Sequence, residues 1–311
     1  MAFTKVHHIG ILVEELEVGR HVFCDGWGLA VNEHRSPWPG GRPGTIEGTS
    51  SIEIPVGEMY LEISAPNGDT GPAAEFVADR RAGMYWVALA STNVAADVAM
   101  LRANGVATEG DWDGAGAVFL DPADTLGLRI QVVPEDGYYT HPHYLGAGVL
   151  TGMGHVGIAA RSMDEIRDLF GTKFGLAEDP HEERGLDTDD YEEEAGDVNA
   201  DDPVHLVEYP LGGCVIEISV PTTDDSGTAR LVQNRAPLGA VYHHIAPYAP
   251  DVHRSAETGE AAGLVLIDPV PPREEGREVH VAWFHPRTCA GTLIEIWDRP
   301  PGGGHMLQYG Q

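Results

Sequence analysis

Lysine is almost missing from this chain: Lys5 and Lys173 are the only two in 311 residues. Lysine and arginine together number 19 against 49 aspartates and glutamates, a formal net charge of -30. A surface so poor in cations repels polyanions, which argues against nucleic acid and anionic membranes as partners. Cysteine is also scarce. Cys24, Cys214 and Cys289 are odd in number and far apart, with no C-x-x-C among them. That favours buried thiols in a reducing, cytoplasmic compartment over a disulfide framework. No apolar run is long enough for a transmembrane helix. Met1-Ala2-Phe3-Thr4-Lys5 leads straight into a strand-like segment, without the pattern of a secretory signal. The acid excess is densest over 178–202, where low hydrophobicity and high charge predict a mobile, solvated loop.

What the chain has in abundance is repetition. Four segments open alike: Val6-His7-His8-Ile9-Gly10-Ile11, Tyr85-Trp86-Val87-Ala88-Leu89, Gly154-His155-Val156-Gly157-Ile158 and His243-His244-Ile245-Ala246. Each alternates at period two, the signature of a half-buried strand. After the first three comes a segment with helical spacing, Leu16 to Trp27, Val94 to Arg102 and Met163 to Phe174. Each of these stops at a glycine, Gly28, Gly105 and Gly175, as a helix C-terminus favours. The fourth helix, after Asp251, is harder to read and ends near Gly263. Each unit closes on another strand: Met59 to Ile63, Leu128 to Val132, Val215 to Ile218 and Leu293 to Ile296. The units fall at about 4–67, 84–134, 152–222 and 240–298.

The expected fold class is therefore α+β, with four βαβββ modules paired into two cups. One such module cannot close its own sheet, so two pair and curl. The domains are expected at 1–137 and 152–300, with a linker over 138–151 containing His141 and His143 and a tail over 301–311. First and last strands line each cup, which brings a histidine and a carboxylate from each of two modules to its centre. Buried imidazoles and carboxylates need partners. A metal ion satisfies both.

This arrangement resembles the vicinal oxygen chelate superfamily, which includes glyoxalase I, methylmalonyl-CoA epimerase, extradiol dioxygenases and bleomycin-resistance proteins. The second half looks most like the epimerase. Phe284-His285-Pro286-Arg287 followed by Gly291-Thr292-Leu293-Ile294-Glu295 is similar to its closing segment, and Tyr242-His243-His244-Ile245-Ala246 to one of its strands. Position by position, the resemblance implies His155, Glu217, His244 and Glu295 as ligands of one divalent ion, whether cobalt, nickel, manganese, zinc or iron. The epimerase has glutamine where this chain has Glu217, so the set is similar to a bacterial-type glyoxalase I. The epimerase's second catalytic acid corresponds to His205, five residues before Pro210. In the first half the matching positions are His8, Glu62, Trp86 and Gln131, and tryptophan cannot ligate a metal. That cup is expected to be degenerate.

Such a metal cup implies redox-neutral proton transfer on a small carbonyl or acyl substrate, with Glu295 as ligand and base and His205 as its partner. Epimerisation, isomerisation and a glyoxalase-like lyase step share this chemistry. The alternative is an Fe(II) extradiol-type dioxygenase, for which His155, His244 and Glu295 alone make a facial triad. A further alternative is a non-catalytic ligand-binding or resistance protein. His243 is expected to face away from the cup, and His285 to sit at a rim. Arg273, Arg277 and Arg287 are the nearest cations for an acyl-CoA. Homodimerisation stays open, because fusing two halves already supplies the pairing that single-half relatives obtain by dimerising.

Overall fold

The protein is described here by a computed structural model over residues 3–135, 144, 146–179, 202–273 and 279–298. The first module runs β1 (Phe3–Leu12), α1 (Leu16–Arg20, passing into a π-helical turn over His21–Asp25), β2 (Arg42–Pro43), β3 (Thr49–Val56) and β4 (Met59–Pro66). Helix α2 (Pro72–Arg80) leads into the second: β5 (Gly83–Ser91), α3 (Val94–Ala103), β6 (Val118–Phe119) and β7 (Ile130–Pro134). The third holds β8 (Gly152–Ala160), α4 (Met163–Ile166, passing into a π-helical turn over Arg167–Lys173), β9 (Val204–Leu211) and β10 (Cys214–Pro221). Helix α5 (Gly227–Arg235) joins it to the fourth: β11 (Ala240–Tyr248), α6 (Val252–Ala261), β12 (Val281–Phe284) and β13 (Leu293–Trp297).

The helix after Asp251, least legible in sequence, is well founded. The Asp251 carboxylate accepts the Arg254 backbone N–H as an N-cap, and the chain leaves α6 through Gly263 at φ 85°. Only the first module shows three separate strands after its helix. In the second and fourth an isolated bridge, Thr108 to Leu120 and Leu266 to Phe284, takes the place of the first of the three. In the third module that place, with the acid-rich stretch 180–201, lies outside the described residues. The tandem His141 and His143 lie outside them too.

Two mixed sheets result, with orders β2-β3-β4-β1-β5-β7-β6 and β12-β13-β11-β8-β10-β9. At the centre of each, the opening strands of its two modules pair antiparallel, β1 with β5 and β8 with β11. Every module's last strand then lies parallel to its first. This is a local two-fold, and it sets the opening and closing strands of both modules side by side on one concave face. The other face is apolar. One hydrophobic cluster unites the two sheets, Phe3, Val87, Leu89 and Ile130 sharing it with Ile158, Phe170, Phe174 and Ile216. Polar contacts cross the same seam: the Trp27 indole donates to the Ser255 carbonyl at 3.1 Å and the Tyr242 hydroxyl to the Arg129 carbonyl at 2.8 Å. Among the described residues no helix is long and apolar enough to cross a membrane.

Candidate metal centre

His155 on β8, Glu217 on β10, His244 on β11 and Glu295 on β13 come from four strands that are neighbours in one sheet. In a flat sheet, strands about 4.8 Å apart would spread those side chains over some 14 Å. Instead His155 Nε2 lies 2.8 Å from His244 Nε2, 2.9 Å from Glu295 Oε2 and 3.7 Å from Glu217 Oε2. His244 Nε2 is in turn 3.4 Å from Glu295 and 3.6 Å from Glu217. Curling of the sheet has drawn His155, Glu217 and His244 into a group whose ligand atoms all lie within 4.8 Å of one another, Glu295 reaches both imidazoles from the other side, and all four side chains are buried.

Ligands about 2.1 Å from a common ion and at right angles are about 3.0 Å from one another. The 2.8 and 2.9 Å contacts of His155 with His244 and Glu295 are near that edge length, while Glu217 stands somewhat further off at 3.6–3.7 Å. The donor chemistry fits as well, since two imidazoles and two carboxylates suit a divalent ion and its charge. Electrostatics point the same way. Burial alone would drive the His155 imidazolium down, but Glu217 and Glu295 override it and raise the group to about 9. Burial would likewise raise Glu295, yet His155 and His244 hold it well below the usual carboxylate range. Two buried carboxylates demand positive charge at this spot.

Space for the second imidazole comes from Gly157. A Cβ there would fall 2.0 Å from His244 Cε1 and 2.2 Å from its Nδ1, so only glycine lets the ring lie across β8. A register shift between Tyr242 and His244 then alters which way the histidine pair faces. His243 does not turn away, as alternation predicted; its Nδ1 meets His244 Nδ1 at 3.1 Å and steadies that ring.

The hairpin of β9 and β10 adds a residue that sequence reasoning missed. Its two-residue turn, Gly212-Gly213, pairs Leu211 with Cys214 and hence Glu208 with Glu217. Glu208 is buried and shares Glu217's face. His205 pairs with Val220, an odd number of residues along β10 from Glu217, so it belongs to the opposite face, and it is exposed. The structure does not bring His205 to the cluster. The signal for Glu208 was present: turn glycines fix register, and both glutamates stand four residues outside them. Arg273 is engaged by Asp251, Arg287 and His285 are exposed, and Arg277 lies outside the described residues.

The N-terminal cup repeats this geometry with a different outcome. Its Gly57-Glu58 turn pairs Glu53 with Glu62, as Gly212-Gly213 pairs Glu208 with Glu217. Here Arg42 fastens both carboxylates, Nε to Glu53 and a terminal nitrogen to Glu62, each at 2.8 Å. Thr45 and Ser51 also donate to Glu62. Trp86 stands in the place of His244, its ring over Gly10 and its N–H donating to His8 Nε2 at 3.1 Å. Leu12, Ile46 and Ala73 pack around it. Burial drives His8 down to about 3 despite Glu62, with His7, Arg42 and Arg35 pushing the same way. His8 and His155 occupy equivalent sites yet shift in opposite directions: burial outweighs the one carboxylate facing His8, Glu62, whereas Glu217 and Glu295 together outweigh it at His155.

No protein-family model matches the chain, and no curated protein does. Among solved structures, a mutant of 4-hydroxymandelate synthase from Streptomyces coelicolor aligns with a TM-score of 0.65 and 14% identity, over 98% of this chain and 95% of that one. BphC, a halotolerant catechol dioxygenase, aligns with a TM-score of 0.54 and 11% identity, over 98% of this chain and 90% of that one. Both are proteins of one superfamily. The chain has the vicinal oxygen chelate fold. Methylmalonyl-CoA epimerase from Mycobacterium tuberculosis covers only half of it, 51%, with a TM-score of 0.38 and 19% identity, and carries no argument. Identities this low speak for the vicinal oxygen chelate architecture and not for any one reaction.

Proposed function

We propose that the C-terminal cup is an enzyme site that holds one divalent metal ion on His155, Glu217, His244 and Glu295 and moves a proton on carbon beside a carbonyl group. The reading rests above all on Glu217, a fourth donor in a cluster where a non-haem iron oxygenase uses three. A bound divalent ion supplies Lewis acidity, polarising the carbonyl oxygen and acidifying the neighbouring C–H. The remaining work falls to the chain's own carboxylates. Glu208 on β9 and Glu295 on β13 stand on either side of the imidazole pair in strand order, so one can accept a proton while the other returns it. Glu208 takes the part that the sequence resemblance gave to His205. Epimerisation, isomerisation and a glyoxalase-like lyase step can each use such a pair, or one mobile base, to move the proton.

Metal analysis and solvent exchange test the proposal together. Purified protein should carry about one divalent ion per chain, and Glu217→Ala should lose most of it. Anaerobic incubation with substrate in deuterium oxide should place deuterium on carbon. A strict oxygen requirement with bound iron would support the second reading, a ring-cleaving dioxygenase. Two observations favour that reading: full-length likeness to 4-hydroxymandelate synthase and BphC, and the tighter convergence of His155, His244 and Glu295 alone. Ligand affinity with no turnover under any metal would leave a binding protein.

A further inference from the structure

The lip of the C-terminal cup carries chemistry that the metal centre does not use. Trp283 pairs with Glu295 across the β12–β13 ladder, which puts the indole on the same face as the carboxylate and one strand further out. Its ring meets the His244 imidazole edge-on, centroids 5.2 Å apart and planes at 73°. Unlike the four clustered side chains, Trp283 is only half-buried, so part of the indole looks out of the cup. Val281, two residues along the same edge, is half-buried as well. At the far edge of the sheet, Leu206 pairs with Ser219 on that face and is 36% exposed.

Both lips are thus apolar above a floor of carboxylates. Among the described strand residues on the cup face, none is lysine or arginine, while Glu208, Glu217 and Glu295 are all acids. Those strands therefore offer an anion such as a phosphate-bearing thioester no lysine or arginine to pair with. A half-exposed indole beside a metal-binding imidazole offers a flat, electron-rich surface with little conformational entropy to lose.

We propose that Trp283 is the specificity-determining contact of this site, and that its substrates are uncharged, oxygen-bearing molecules whose planar, aromatic or conjugated part lies against the indole. The inference rests on the metal reading of the same cup.

Two metal-chelating probes that differ by one ring test it: acetohydroxamic acid and benzohydroxamic acid, both neutral in solution and both releasing one proton to buffer on chelation, titrated by calorimetry into zinc-loaded protein. Benzohydroxamic acid should bind at least about tenfold more tightly, the range of an aromatic contact plus its buried area. Trp283→Ala should erase that preference while leaving zinc content and the acetohydroxamic acid affinity within about twofold. Trp283→Phe should restore most of it, which guards against a merely misfolded alanine variant. A 4-carboxy derivative of benzohydroxamic acid should bind several-fold more weakly than the parent. Equal binding of the first two probes to the wild type, or a preference that survives Trp283→Ala, overturns this inference and leaves the metal centre standing. If neither probe binds and no zinc is retained, the metal reading falls and this one with it.

Discussion

Gly157 and Gly10 stand at the same point in their two cups, and each lets a ring lie flat across a strand. Gly157→Ala would put a methyl group into the His244 imidazole, and Gly10→Ala one into Trp86 at 2.0 Å. The first should lower divalent-metal affinity at least about tenfold with little change in far-ultraviolet circular dichroism. The second should leave metal content alone and destabilise the fold by about 1–3 kcal/mol in urea unfolding, as overpacked cores do. Glu208→Gln separates proton transfer from metal binding. It should retain the ion, measured by atomic emission, and lose solvent-deuterium incorporation by at least about a hundredfold. Loss of both would make Glu208 a ligand and not a base. His155, Glu217, His244 and Glu295 came at this scale from the family resemblance, and the structure brings each of their side chains to the imidazole pair. His205 came the same way and failed, because counting back from a proline ignores the pleat. Glu208 follows once the Gly212-Gly213 turn is allowed to fix the register.

The hairpins decide what each cup does. β3–β4 and β9–β10 are the same device, a two-residue turn with one glutamate four positions out on each arm. In the first module the short strand β2 brings Arg42 against its pair. Removing the guanidinium leaves two carboxylates, each fully buried at 0% side-chain exposure, without their bridge. Arg42→Met should therefore destabilise the protein by about 3 kcal/mol, with the metal content of the other cup unchanged. The same module imposes a pH dependence. His8 has a folded pKa of about 3 against an ordinary 6.5, so between those values the unfolded chain binds the extra proton. Stability is then fully present above pH 6.5 and falls as the pH drops toward 3. Replacing His8 with asparagine should flatten that slope in urea titrations at pH 4, 5 and 7. Two elements of this scale, α2 and α5, were not foreseen. Pro72 at the start of one and the Ser226 cap of the other were available signals, overshadowed by the strand repeat on either side.

Across the whole molecule the two sheets share one core. Phe3 stacks near Phe174 at 5.5 Å between centroids, and Trp27 meets Phe284 at 5.3 Å. A fragment holding residues 152–298 alone would expose Phe170, Phe174, Ile216 and Phe284 to water. The full chain should unfold in a single transition by calorimetry and by tryptophan fluorescence, while the fragment should be aggregation-prone or molten. Two separate transitions would show the halves to be thermodynamically independent.

Repetition, alternation and stop glycines were enough to outline the four modules and the α+β class, and a family resemblance named the residues expected at the centre of the C-terminal cup. The modules and the class are properties of local periodicity, and periodicity is written in the chain. Three matters needed the folded molecule. Strand register chose Glu208 over His205, since a shift of one residue reverses a side chain's face. Curvature drew side chains from four neighbouring strands to within 2.8–3.7 Å of the two imidazoles. Long-range packing set Arg42 between Glu53 and Glu62 in one cup, while His155 in the other gathers its positive charge from two glutamates. Charge at a site is a sum over everything nearby in space, and no local stretch of sequence contains that sum.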